Sequence, residues 1–110
     1  MIDNTVTKLE AQLRNAGNLS PERKAELLQL LGTLKTEISE LSKTNREDAQ
    51  SIAKFAEVSA LEATRTAKNQ KLQDLSLEGL KSSVEGFEES HPKLVQVVDS
   101  ISRTLPNLGI

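Results

Sequence analysis

The chain has 110 residues, 36% of them hydrophobic, and no cysteine, so it is one domain's worth of polypeptide with neither disulfides nor thiolate metal sites open to it. Lys and Arg number 14 against 16 Asp and Glu, a net charge of -2, and this near balance argues against a general nucleic-acid binder, which carries a strong basic excess. Only Phe55 and Phe87 are aromatic, so the core must be built from leucine, isoleucine, valine and alanine.

Five helices are predicted in chain order, over about 5–16, 21–43, 45–72, 77–90 and 92–105, followed by a tail over 106–110. The first is expected to start after Asp3 or Asn4, to carry Val6, Leu9, Leu13 and Ala16 along one line, and to end at Gly17-Asn18. Ser20-Pro21 opens the second. The serine oxygen can accept a backbone N–H, and proline at the first helical position has no donor to waste. From there Leu27, Leu31, Leu34, Ile38 and Leu41 recur at spacings of four and three, a stripe that places every member on one side of a helix.

Ala49, Ala53, Ala56, Ala60, Ala63 and Ala67 repeat that rhythm with a small residue, which lets two backbones approach closely. The two stripes are out of phase. Carrying the leucine rhythm forward lands on Asn45 and Asp48, so a break is expected near Thr44, where Thr44 and Glu47 also match a capping box. The alternative is one continuous helix with a stutter at the same place, since no glycine or proline lies between Gly32 and Gly79. Acidic residues open the third helix and Arg65, Lys68 and Lys71 close it, as the helix dipole prefers. At about 28 residues that helix would be roughly 42 Å long, more than its shorter neighbours could cover, and this mismatch is the sequence's argument for self-association. Ser76 is a candidate cap for the fourth helix, with Leu77, Leu80, Val84 and Phe87 on one face. His91-Pro92 breaks the chain before a fifth helix bearing Leu94, Val98, Ile101 and Leu105, and Pro106 stops it.

Chemistry-bearing patterns are sparse. His91 stands beside Glu88 and Glu89, a set that can bind a metal or move protons. The simpler reading is a polar ring covering the turn before Pro92, and with one histidine per chain a metal site would need an oligomer axis. The scattered glycines form no phosphate loop, and no serine sits in a nucleophile arrangement. Arg65, Lys68 and Lys71 would form a small basic strip on the third helix, open to phosphate in one reading and a solvated face in the other. No catalytic, cofactor or metal residue is assigned. No window approaches the roughly 18 apolar residues of a membrane span. The N-terminal segment lacks a basic stretch followed by an apolar run, so no secretory leader is expected and a cytoplasmic protein is.

The last third of the chain, through Phe87-Glu88-Glu89-Ser90-His91-Pro92-Lys93-Leu94 to Asn107-Leu108-Gly109-Ile110, resembles a family of small bacterial helical proteins catalogued only as a domain of unknown function. The resemblance implies a bacterial protein and supplies no activity or catalytic residue. It directs attention to Phe87, His91, Pro92, Asn107, Gly109 and Ile110. The tail can be read as a plug for the end of the bundle or as a ligand offering two apolar side chains and a carboxylate.

These readings converge on an all-α fold, an antiparallel bundle of four to five helices with one or two long central ones, forming a dimer. The expected role is non-enzymatic: helix-mediated self-association or binding of a protein partner through the two stripes, with no cofactor and no membrane. The alternative is a small nucleic-acid or regulatory adaptor using Arg65, Lys68 and Lys71.

Overall fold

The computed structural model describes residues 2–15, 17 and 19–107, with side chains from residue 5 onward. Its order is α1 (Ile2–Arg14), α2 (Pro21–Ser42), α3 (Arg46–Ala63), α4 (Gln70–Ser83) and α5 (Pro92–Thr104), closed by a 3-10 turn at Leu105–Asn107. No strand occurs among the described residues. Helices α2 and α3 form the centre: α2 packs against α1, α3 and α5, and α3 packs against α1, α2 and α4. The 22 residues of α2 span roughly 33 Å at 1.5 Å per residue, close to the 37 Å long axis of the molecule.

The boundaries follow local chemistry. Ser20 Oγ accepts the Arg23 amide at 3.2 Å and Pro21 takes the first helical position, so α2 starts where the sequence places it. Helix α1 begins earlier than expected, at Ile2, which puts Asp3 and Asn4 inside the helix rather than at its cap. Ala16 and Asn18 lie outside the described residues.

The chain turns at residues 43–45, as the phase break between the stripes implies. The capping box does not form there. Asn45 is the N-cap of α3 and makes no side-chain cap, while the Thr44 hydroxyl donates to the Asn45 side-chain oxygen at 2.7 Å.

The largest departure is at the end of α3. It stops at Ala63, and residues 64–69 form a connector whose Asn69 caps α4 by accepting the Leu72 amide at 3.1 Å. Eighteen residues give α3 about 27 Å, so the length mismatch that favoured self-association is absent. Helix α4 accordingly begins seven residues before the expected position 77. Ser76 is no cap. It is buried mid-helix, with its hydroxyl on the Gln73 carbonyl at 2.9 Å. Phe87 lies beyond α4, in a turn where Gly86 adopts φ 96°, a conformation that favours glycine.

Burial matches residue size to position. Leu27, Leu31, Leu34, Ile38 and Leu41 are all buried, and so are Ala49, Ala53, Ala56, Ala60 and Ala63. They share one cluster with Val6, Leu9, Leu13, Ile52, Leu80, Leu94 and Ile101, so both stripes are consumed inside a single chain. Ala67 lies in the exposed connector and is not part of the helical seam.

Candidate interaction surface

Helices α3 and α4 make the most extensive pairing in the molecule, and two contacts fix its register. The Ser59 hydroxyl lies 2.7 Å from the Phe55 carbonyl and 3.0 Å from the Ser76 carbonyl. The Phe55 ring rests against Gly79, where an added Cβ would come within 2.6 Å of its Cδ1. Ser59 is therefore level with Ser76 and Phe55 with Gly79, which makes the two helices antiparallel. At the same register Val58 falls level with Ser76 or Leu77, and Leu61 with Gln73 or Asp74.

Alanine faces inward along α3 beside the buried Ile52, and the other large side chains of that helix are turned out. Phe55, Val58, Leu61, Leu72 and Leu75 are 39 to 52% exposed, and they are the exposed large hydrophobics among the described residues. All five sit on this helix pair, three on α3 at i, i+3, i+6 and two on α4 at i, i+3. Shallow, open grooves border Phe55 and Val58. One runs past Thr5, Gln50 and Lys54 to Val58, the other past Asp48, Ser51, Gly79 and Phe87, and Phe55 touches both. Isolated surface leucines are ordinary, but large side chains gathered on one helix pair mark a surface that something else covers.

The basic strip on one helix is not realised. Arg65 and Lys68 fall in the connector and Lys71 in the first turn of α4. Arg65 pairs with Glu62 at 2.9 Å, and Lys68 Nζ donates to the Ala63 carbonyl at 2.7 Å, finishing the C-terminal end of α3. His91 precedes Pro92 as the N-cap residue of α5 without a side-chain cap. Its ring stands edge-on to Phe87 at 5.8 Å between centroids, and its Nδ1 is 3.0 Å from the Ser90 hydroxyl. Glu88 accepts the Gly86 amide at 2.9 Å, closing the turn. Among the described residues no three His, Cys, Asp or Glu side chains gather in a metal-binding group. Asn107 is exposed and donates to the Arg103 carbonyl at 3.0 Å, while Leu108, Gly109 and Ile110 lie outside the described residues.

Electrostatics are correspondingly quiet. The Lys43 ammonium hydrogen-bonds Glu40 at 2.7 Å near the end of α2, and this bond and its charge hold the Glu40 carboxyl below its ordinary range. The pair is fully in solvent and adds little. What this surface offers is apolar area with a charged rim. The alanine periodicity does not by itself separate an outer row. The available signal was the i, i+3, i+6 spacing of Phe55, Val58 and Leu61, out of step with the alanines.

Comparison with known proteins places the chain. It belongs to the family described as Domain of unknown function (DUF4404), which matches residues 2–110. No curated protein matches it. No solved structure matches it either. None of the helices is long and apolar enough among the described residues to cross a membrane.

Proposed function

We propose that this protein is a non-enzymatic association module of the bacterial cytoplasm and that its working surface is the outer face of α3 and α4. One observation carries the reading: the large side chains of this helix pair that the core does not take are exposed together on it. The leucine and alanine stripes hold the monomer together and are not free to bind. Burying the outer face against another helical surface removes apolar area from water, the dominant driving force of association.

The test is Val58→Glu combined with Leu75→Glu. Both positions are about half exposed, so the variant is expected to unfold within about 1 kcal/mol of the parent in a denaturant titration. Amine-reactive cross-linking in living cells is expected to shift the parent to a heavier species that the double variant lacks. A parent that stays at its own mass in the cell ends this reading, as does a double variant that no longer folds.

A further inference from the structure

We infer that the partner covering this face is a second copy of the chain, related by a two-fold axis passing beside Val58. The inference rests on the association reading above and adds the partner's identity and its geometry.

The outer row of α3, Phe55, Val58 and Leu61, is apolar at each step in either direction. If two α3 helices lie antiparallel with Val58 opposite its own copy, Phe55 falls opposite the partner's Leu61 and Leu61 opposite the partner's Phe55. Each large apolar side chain then meets another. The flanking charges are compatible with the same symmetry: Lys54 falls level with the partner's Glu62, which already holds Arg65 of its own chain at 2.9 Å. Within the monomer Lys54 is exposed and has no ion pair among the described residues. An isologous interface demands this self-complementarity, whereas a foreign partner places no such demand on one row. The rim of α4 carries both signs, with Lys71, Asp74, Glu78 and Lys81 along the helix that bears Leu72 and Leu75.

The area is of the right order. Five half-exposed side chains, each presenting up to about 200 Å² when fully open, leave on the order of 400 Å² of apolar surface. A stable interface buries about 800 Å² per partner, somewhat over half of it apolar. The five side chains would form the centre, with the stems of Lys54, Lys71 and Lys81 and the serines of the adjoining grooves supplying the rim.

The absence of cysteine makes the geometry directly readable. Purified protein at tens of micromolar is expected to sediment at about twice the 12.0 kDa of the chain. Val58→Cys, at a half-exposed site that tolerates the change, is expected to form a disulfide with its copy at least about tenfold faster than a Lys93→Cys control on α5, because two Cβ atoms beside a two-fold axis come within bridging distance. Lys54→Glu is expected to weaken the dimer about three- to tenfold, and Lys54→Arg to leave it within about twofold of the parent. A purified chain sedimenting at its own mass overturns the second copy, and if the cross-linked species persists in cells the association reading stands with a foreign partner. A dimer in which Val58→Cys links no faster than the control overturns this axis.

Discussion

Helices α2 and α3 are neighbours in sequence and in space, share one seven-residue rhythm, and invert each other. In α2 the large side chains face inward, with Leu27, Leu34, Ile38 and Leu41 fully buried, while Glu22, Gln29, Thr33 and Glu40 face water. In α3 alanines face inward, and Phe55, Val58 and Leu61 face water. Helix α2 is therefore a pillar whose bulk fills the core, and α3 is a thin partition that lets α1, α2 and α4 close in on it. Apart from the buried Ile52, the bulk α3 carries lies on its outer side. Amphipathic periodicity alone does not distinguish these cases; the sizes on each face do.

Substitutions test that contrast most sharply where bulk fills the core. Leu34→Ala is expected to destabilise the protein by about 2–5 kcal/mol in denaturant titration, because it opens a cavity in a fully packed layer. Next comes the opposite change on the thin side. Ala56→Leu should cost about 1–3 kcal/mol by forcing α3 off its neighbours. If Ala56→Leu instead stabilises the fold, the partition picture is wrong.

A smaller effect on stability sharpens the outer face. Gly79→Ala gains about 1 kcal/mol of helix propensity but evicts the Phe55 ring from its seat. The two effects nearly cancel, so melting is expected to move by less than about 1 kcal/mol while association weakens measurably. Smallest is Glu40→Gln at the end of α2. A lowered carboxyl adds stability above its ordinary value of 4.5 that is lost as pH falls through the depressed value. For so exposed a pair, the acid limb of a pH–melting curve should be nearly superimposable on that of the parent.

Much of this fold was legible in the residues. Ser20-Pro21 marked the start of α2, and the phase slip between Leu41 and Ala49 marked the turn at 43–45 without any glycine or proline. The end of α3 was not legible, because Ala67 continued the alanine rhythm beyond the last residue that the core covers. Its signals were quieter: Thr64 and Thr66 are β-branched, and Asn69 is a good cap that the eye reads as surface. Missing that stop also moved the start of α4 and created a basic strip that the connector disperses, while Phe87 falls outside α4 because that helix ends at Ser83, before the Gly86 turn. The interaction surface escaped because periodicity reports which residues share a side. It says nothing of how many sides are covered.

The connector over 64–69 has a consequence of its own. It is exposed from Arg65 onward, and it carries Arg65 and Lys68 in a stretch that no helix protects. Trypsin should therefore open the native chain here first. The products, a three-helix piece and a two-helix piece, would stay clasped by the α3–α4 seam and by the packing of α5 on α2, so the nick should show under denaturing electrophoresis and not in the intact particle.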